Sequence, residues 1–477
     1  MGVLRHLAGL SGRAAAFWHS TSGGTLPLAA GMMLSLVGFA GVALDGARLI
    51  YAKDVLQRAV DAGGLAAGHA LDVDDMDADG HDFFNANVAA GGGILRNTNM
   101  NIVISGDDRV LTLTATAQVE STFMSVFGFE AITVSASTEV TRETRGMELA
   151  LVMDNTGSMR SGGKITAMKD AARSLVNNIY GEEEVNPNLW VSLIPYTAAV
   201  NVGAGRSAWL DSAGQDAIDD GDFGPTVWKG CVEARDGTGD RTDDPPADDP
   251  FSIYFYADAS DNDWIQSGGS YDIDEANGAQ NDGTGPNLGC GPAITPLTAA
   301  KGPVIAAIDE MLPWHRGGTT SNLGLVWGWR TLSPRWQGLW GGGTPSELPL
   351  SYDEPFMDKV IVVLTDGQNQ FYDHNGGGPQ GSDYTAYDRL NVFGYATLDQ
   401  ARAEIDNRFA ALCTTIKQTG IKIFAITFGS TPNASTQSLY RTCASNTGFY
   451  FHAPSNDELQ TVFDTIGRQL SNLRLSQ

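Results

Sequence analysis

Two short apolar segments, far apart in the chain, each end close to an aspartate. Residues 149–153 directly precede Asp154, and a single threonine separates residues 359–364 from Asp366. Apolar runs without polar alternation are typical of strands that are buried on both faces of a parallel sheet. Segments with helical periodicity lie between the runs, as at residues 164–180. The alternation of strands and helices predicts an α/β domain whose mostly parallel sheet is covered by helices on both faces.

This alternation extends over residues 147–477. Further strands are expected at residues 189–196, 421–428 and 448–452. The expected helices cover residues 164–180, 301–312, 321–331, 397–419 and 435–445, with a last helix from residue 456. Two Gly- and Pro-rich stretches, 201–290 and 334–356, interrupt the pattern and are interpreted as insertions.

The first insertion is strongly acidic, as is the whole chain. The chain has 30 Lys and Arg against 56 Asp and Glu, a formal net charge of −26. Because phosphate binding requires a basic face, this balance argues against nucleic acid as a partner. Residues 201–290 hold 19 acids and 4 basic residues, so they carry −15 of that charge. We expect a solvated acidic surface loop here. Calcium binding is the alternative, although the spacing of an EF-hand loop is absent from the sequence.

The N-terminal segment has the length and composition of a membrane anchor. Residues 25–44 are free of charge, and about 20 apolar residues cross roughly 30 Å of hydrocarbon as a helix. Residues 1–24 carry Arg5 and Arg13 and no acid. The positive-inside rule therefore favours a cytoplasmic tail at residues 1–24, with the C-terminal domain on the other side of the membrane. A cleaved signal peptide is the alternative, and a pilin-type leader cut near Gly24 is a further one.

Residues 45–100 are expected to form a helical stalk, and residues 101–146 a small β-rich module. Small side chains at residues 63–68 permit close helix packing, either on the protein's own domain or along another membrane helix. From residue 101 the apolar period becomes two, as in strands with one buried face. Neither segment carries a recognisable catalytic pattern.

The four cysteines allow three pairings, and no C-x-x-C pair is present. Cys413 lies on the helix before the strand at 421–428, and Cys443 on the helix after it. Neighbouring helices on one sheet face can bring them within bonding distance, which leaves Cys231 with Cys290 as the complementary pair. Disulfides suit a domain outside the cytosol, and buried free thiols are the alternative.

Three polar loops are expected at the edge of the sheet where an open α/β fold places its ligands. The first contains Asp154, Thr156 and Ser158, the second contains Thr319, and the third contains Asp366. These side chains offer only oxygen ligands, which favour Mg²⁺, with Mn²⁺ or Ca²⁺ as alternatives, over zinc or copper. Helix capping by Asp154 and a simple turn at Asp366 are the structural alternatives. An ion held by weakly donating hydroxyls keeps an open position, which can accept a carboxylate from a protein partner.

At these residues the chain resembles the von Willebrand factor A domain and its metal-ion-dependent adhesion site (MIDAS). The D-x-S-x-S motif of that family corresponds to Asp154, Thr156 and Ser158, with threonine in place of the usual first serine. The family's separate threonine corresponds to Thr319, with Thr320 as the second choice, and its distant aspartate to Asp366. The resemblance implies a doubly wound, Rossmann-like sheet and a divalent cation.

The chain also resembles TadE/TadG-type proteins of pilus assembly. The similar segments are the N-terminal apolar run with residues 42–48 and 56–62, residues 318–330, and the tail 466–475. This resemblance implies a single-pass protein of the bacterial inner membrane that belongs to the tight-adherence (Flp) pilus system. Its C-terminal domain would be periplasmic or extracellular, and its partners would be pilus subunits or assembly proteins.

The preferred function is therefore a membrane-anchored, metal-dependent adhesion module that is not an enzyme. A metal-assisted hydrolase is the alternative from another class, and it would need a general base such as His315 or His374 near the ion. A purely structural envelope scaffold, in which metal only stabilises the fold, is the third hypothesis.

Overall fold

The computed structural model describes residues 25–69, 73–105, 110–141, 146–260, 262–275, 283–372, 382–430 and 432–475. The expected cytoplasmic tail at residues 1–24 lies outside these described residues. The chain divides into two compact units, Met1–Glu143 and Thr144–Gln477.

The first unit consists of two helices and a three-stranded antiparallel sheet with the strand order β1-β2-β3. Its elements are α1 (Thr25–His69), α2 (Val73–Ala90), β1 (Arg96–Ile104), β2 (Val110–Glu120) and β3 (Ala131–Thr141). Within the described residues, Leu28–Gly68 of α1 is the one stretch that is long and apolar enough to cross a membrane. The strand expected from residue 101 begins earlier, at Arg96.

The second half of α1 packs on this sheet. Its side chains Leu56 and Val60 are wholly buried in one cluster with Leu111 and Leu113 of β2. A Cβ atom added to Gly63 would lie 2.8 Å from the carbonyl oxygen of Gly80 in α2, so the glycine permits a close approach of the two helices. In this structure the small-residue face of the stalk therefore packs on its own unit.

The second unit alternates strands and helices. Its strands are β4 (Gly146–Asp154), β5 (Leu189–Tyr196), β6 (Val200–Asn201), β7 (Cys231–Val232), β8 (Thr295–Thr298), β9 (Gly318–Thr319), β10 (Met357–Thr365), β11 (Gln370–Phe371), β12 (Lys422–Phe428) and β13 (Tyr450–Ala453). Its helices are α3 (Lys164–Tyr180), α4 (Ser212–Asp219), α5 (Lys301–Glu310), α6 (Ser321–Arg330), α7 (Leu398–Gln418), α8 (Ala434–Cys443) and α9 (Asn456–Leu475). The expected α/β character and the N-terminal apolar helix are both confirmed.

The main sheet is mixed and has the strand order β13-β12-β10-β4-β5-β8. Its strands are parallel except β8, which pairs antiparallel with β5. The chain passes from β4 to β5 on one side and later returns to β10 on the other side. The carboxyl ends of β4 and β10 are therefore neighbours at the point where the strand order reverses, which is where open α/β sheets bind ligands.

Both faces of this sheet are covered, which explains the continuous apolar runs in the sequence. Leu149 and Leu151 of β4 face a layer formed by α3, α5 and α9. Ala150 and Val152 face the opposite layer, to which α6, α7 and α8 contribute. All four side chains are wholly buried.

The acidic insertion differs from the expected solvated loop. Many of its large apolar side chains join the core on the face of α6 and α7; among these are Trp209, Leu210, Phe223, Trp228, Val232, Phe251, Tyr254, Tyr256 and Leu288. Many of its acidic residues are exposed, so the composition reflects the surface of an ordered segment. In the described part of the chain, no three Asp, Glu, His or Cys side chains gather into a metal-binding cluster, so the calcium alternative gains no support.

Both expected disulfides are present. Cys231 is bonded to Cys290, with 5.8 Å between their Cα atoms, and Cys413 is bonded to Cys443, with 5.1 Å between theirs. The first bond closes residues 231–290 within the acidic insertion, and the second joins α7 to α8.

Candidate metal centre

Asp154 is the last residue of β4, and Asp366 follows β10 on the neighbouring strand. Both residues are wholly buried. One carboxylate oxygen of Asp154, Oδ2, accepts hydrogen bonds from the hydroxyl of Thr365 at 2.9 Å and from the backbone N–H of Asp366 at 3.4 Å. The register of β4 and β10 thus brings together two aspartates that are far apart in the sequence.

The loop after β4 arranges its hydroxyls around these carboxylates. Thr156 donates both its backbone N–H, at 2.8 Å, and its hydroxyl, at 2.6 Å, to Oδ1 of Asp154. The hydroxyl oxygens of Thr156 and Ser158 are 3.1 Å apart, and Ser158 donates a hydrogen bond to Oδ1 of Asp366. Four of the predicted ligands therefore form one continuous chain of oxygen–oxygen contacts, in which the protons of the two hydroxyls go to the carboxylates.

Thr319 lies at the mouth of the same site. It is in β9, which pairs with β11 just after the Asp366 loop, and it lines an open cavity of about 410 Å³ together with Thr156 and Ser158. The hydroxyl of Thr320, the second choice, is buried and donates to the carbonyl oxygen of Thr197 at 3.0 Å. Of the two threonines, only Thr319 lines the cavity.

The site brings two buried carboxylates close together. Burial, and next the negative charge of Asp366, raise the pKa of Asp154 above its ordinary value. Two cationic residues lie close by: Nζ of Lys164 is 2.6 Å from Oδ2 of Asp366, and Arg160 lines the cavity. A cation bound between the two buried carboxylates would offset their mutual repulsion.

Sequence reasoning missed Lys164. It is the first residue of α3, where a positive charge opposes the helix dipole, and acidic residues are preferred at that position. A lysine at a helix N-terminus that follows an aspartate loop is therefore a usable signal that a carboxylate lies nearby.

A buried ion pair holds the loop that carries Thr319 to Asp383, and the acidic insertion bonds to the same carboxylate. Nε of Arg316 lies 2.6 Å from Oδ2 of Asp383, and that oxygen also accepts the backbone N–H of Gly317 at 3.0 Å. The hydroxyl of Tyr256, in the insertion, donates to Oδ1 of Asp383. Burial would raise the pKa of Asp383, but the hydrogen bonds and charge of Arg316 hold it below its ordinary value.

Of the two histidines considered as general bases, one lies at the site. His315 lines the cavity, and the centre of its ring is 4.9 Å from that of Tyr372. His374 lies outside the described residues. A second cavity of about 420 Å³ lies at the other end of β10, lined by residues such as Asp353, Glu354 and Asp358, away from the hydroxyl cluster.

The donor set suits a hard divalent cation. The carboxylates and hydroxyls that contact one another offer only oxygen atoms, while the cavity lining contains one imidazole, that of His315, and no cysteine. Mg²⁺, Mn²⁺ and Ca²⁺ accept such ligands, whereas thiolate or imidazole ligands would favour zinc or copper.

The chain has distant likenesses among solved structures of pilus proteins. The vWF domain of the type V pilus tip protein Mfa5 from Porphyromonas gingivalis has a TM-score of 0.36 at 10% identity, with 70% of this chain and 97% of that chain covered. The pilus adhesin SpaC from Lactobacillus rhamnosus GG has a TM-score of 0.37 at 11% identity, with 79% and 34% covered. The pilus adhesin RrgA from Streptococcus pneumoniae has a TM-score of 0.35 at 11% identity, with 79% and 50% covered.

A search of curated proteins finds no match. A protein-family model does match the N-terminal part of the chain, at residues 23–70. These residues contain the whole of the apolar helix α1. The description of the model is "Putative Flp pilus-assembly TadE/G-like", so residues 23–70 are a TadE/G-like segment.

Proposed function

We propose that this chain is a membrane-anchored adhesion module in which a divalent cation, most simply Mg²⁺, links the second unit to an acidic side chain of a protein partner. The observation that carries the proposal is the continuous chain of oxygen–oxygen contacts from Asp154 through Thr156 and Ser158 to Asp366, at the mouth of an open cavity. Buried carboxylates beside an open, hydroxyl-lined surface suit ion binding better than helix capping.

Each predicted ligand has a distinct part in this proposal. Thr156, Ser158 and Thr319 would hold the ion through their hydroxyl oxygens, and Asp154 and Asp366 would supply negative charge beside it or through water. The bound cation would offer an electrophilic coordination position toward the cavity. Because the hydroxyls are neutral, the ion would keep enough positive charge to attract a carboxylate from the partner.

The family and location are proposed on the same basis. We assign the second unit to the von Willebrand factor A fold, with a doubly wound sheet whose strand order reverses between β4 and β10. The TadE/G-like segment supports a role in the tight-adherence pilus system and a single-pass anchor in the bacterial inner membrane. The two disulfides favour a second unit outside the cytoplasm, with pilus subunits or assembly proteins as its partners.

The test is capture of partners from solubilised membranes of the source cells, with Mg²⁺ or with a chelator. Asp366→Asn should abolish the Mg²⁺-dependent capture. Asp358→Asn, at the other end of β10, is the matched control and should leave it intact. Capture that is unchanged by the chelator and by Asp366→Asn would refute metal bridging. If the chelator then still lowered the melting temperature, the scaffold hypothesis would be favoured.

Metal-assisted hydrolysis is the second candidate, and the position of His315 in the cavity wall favours it. A hydrolase would need this imidazole as a base for water on the ion. Activity toward ester or phosphoester substrates that requires both Mg²⁺ and His315 would establish it. Partner capture that survives His315→Ala, without such activity in the unaltered protein, would favour adhesion.

A further inference from the structure

The connection between β2 and β3 exposes an unusual run of apolar side chains. Residues 121–129 contain no charged residue, and Met124–Phe127 forms a short 3₁₀ helix. Val126 is 82% exposed, Phe127 is 64% exposed and Phe129 is 55% exposed. Isolated apolar side chains on a surface need no explanation, but a contiguous aromatic and aliphatic group marks an interaction site. We call residues 123–129 the apolar loop.

Asp45 holds the apolar loop against α1. Its carboxylate accepts the backbone N–H groups of Thr122 at 3.1 Å, Phe123 at 2.8 Å and Met124 at 2.8 Å. Asp45 is the first charged residue after the uncharged stretch 25–44. The loop is therefore fixed at the end of the segment that is apolar enough to cross a membrane.

The side chain of Phe123 extends this contact into the apolar segment. A Cβ atom added to Gly41 would lie 2.6 Å from Cβ of Phe123, so the phenylalanine lies directly against the helix backbone. Gly41 precedes Asp45 by one turn, about 6 Å along the helix axis. The apolar loop consequently lies beside the last turns of the apolar segment.

The surface of α1 at this level is itself apolar and exposed. Leu34 is 75% exposed, Phe39 is 77% exposed and Leu44 is 51% exposed. In a membrane anchor these side chains contact lipid, and a loop fixed beside them meets the same bilayer near its surface. Aromatic side chains are favoured at that depth, between hydrocarbon and water.

We propose that residues 123–129 insert into the surface of the lipid bilayer beside α1, as a second membrane contact of the first unit. The proposal rests on the membrane anchor of the proposed function and goes beyond it. Lipid is the favoured occupant because the loop is uncharged and continuous with the apolar surface of α1. Two contacts on one rigid unit would restrict its tilt relative to the membrane, which a single helix does not do.

The test measures the environment of single labels in the full chain reconstituted into phosphatidylcholine nanodiscs. All four native cysteines are in disulfides, so Val126→Cys supplies one thiol for an environment-sensitive fluorophore. Leu34→Cys marks the membrane span, and Thr114→Cys marks an exposed position on β2 about 20 Å from its loop end. We expect brominated lipid to quench the labels at positions 34 and 126, and aqueous iodide to quench the label at position 114.

The outcomes separate this inference from the anchor itself. Lipid quenching at position 34 with iodide quenching at position 126 would overturn the inference and leave the anchor intact. Iodide quenching at both positions would overturn both. Protection at position 126 that appears only with two chains per nanodisc would replace lipid with a second copy as the occupant.

Two further variants test whether the fluorophore enters the lipid by itself, without the loop. Phe127→Asp, combined with the label at position 126, should lose quenching by brominated lipid, because a carboxylate is costly to bury in hydrocarbon. Phe127→Leu should retain it. Equal lipid quenching in both variants would show that the fluorophore, and not the loop, enters the bilayer, which would overturn the inference.

Discussion

The ammonium nitrogen of Lys164 lies 2.6 Å from Oδ2 of Asp366, and the other oxygen of that carboxylate accepts a hydrogen bond from Ser158. The side chain of Lys164 is 16% exposed and that of Asp366 is wholly buried. The protein therefore provides its own counter-charge next to the predicted metal ligands. A divalent cation that binds here must do so in the field of that ammonium group.

The first prediction is that Lys164→Met tightens Mg²⁺ binding. Unit charges about 4 Å apart interact by about 4 kcal/mol at an effective dielectric constant of about 20, and relaxation recovers part of this energy. We expect affinity to rise about tenfold, or ~1.4 kcal/mol, by isothermal titration calorimetry. Lys169→Met is the control, because that ammonium group bonds to the carbonyl oxygens of Asp309 and Met311. Weaker binding in Lys164→Met would show that the lysine supports the ion.

The second prediction concerns the buried pair that holds the Thr319 loop. Asp383→Asn leaves the guanidinium of Arg316 without its charge partner, and breaking such a pair costs about 3–5 kcal/mol. The bond from the N–H of Gly317 also weakens, so the loop should loosen and Mg²⁺ affinity should fall along with the free energy of unfolding.

The other end of the sheet supplies a matched control for this change. Glu148 and Lys359 form a buried ion pair at the start of β4, about 20 Å from Asp154. Glu148→Gln should lower the free energy of unfolding by a similar amount and leave Mg²⁺ affinity unchanged. Equal losses of affinity in the two variants would mean that general destabilisation, and not the loop, controls metal binding.

The main strands could be predicted because burial on both faces of a sheet leaves a continuous apolar run. Residues 149–153 and 359–364 lie within β4 and β10, and each aspartate comes at or just after the strand end. The edge strand β8, Thr295–Thr298, was missed because four residues that include a proline produce no recognisable period.

Features that depend on contacts between residues far apart in the chain could not be predicted from local sequence patterns. The packing of the insertion could not be predicted from its acidic composition, since its buried tryptophans lie singly and far apart in a segment with many exposed acids. The pairing of Lys164 with Asp366 joins residues 202 positions apart and follows no local pattern. Sequence reasoning therefore located the candidate ligands but not the charge that faces them.

The third prediction is a dependence of stability on pH that arises from Glu233. The pKa of Glu233 is raised to about 7, and burial is the largest cause. A hydrogen bond from Tyr384 lowers this pKa, and the negative charges of Asp388, Asp211 and Asp236 raise it. The folded state then binds more protons than the unfolded state between about pH 4.5 and about pH 7. The free energy of unfolding should therefore fall as the pH rises through this range, by on the order of 3 kcal/mol.

Replacement of this carboxyl tests its contribution. Glu233→Gln should be more stable than the unaltered protein at pH 8, and its stability should vary less between pH 5 and pH 8 in urea denaturation. Glu310→Gln, at the exposed end of α5, should leave the pH dependence unchanged. Parallel pH profiles for Glu233→Gln and the unaltered protein would contradict the prediction.

The fourth prediction separates the two disulfides by their effect on the site. In the loop-entropy description, removal of Cys231–Cys290, with a sequence separation of 59, costs about 4 kcal/mol. Removal of Cys413–Cys443, with a separation of 30, costs about 3.5 kcal/mol. Only the first bond lies in the insertion, whose Tyr256 contacts Asp383 and so holds the Thr319 loop.

The test replaces both cysteines of one bond by alanine, and in a separate variant both cysteines of the other. The two variants should lose similar free energies of unfolding. Only the variant at positions 231 and 290 should also bind Mg²⁺ more weakly in calorimetry. Unchanged affinity in that variant would show that the insertion does not support the metal centre.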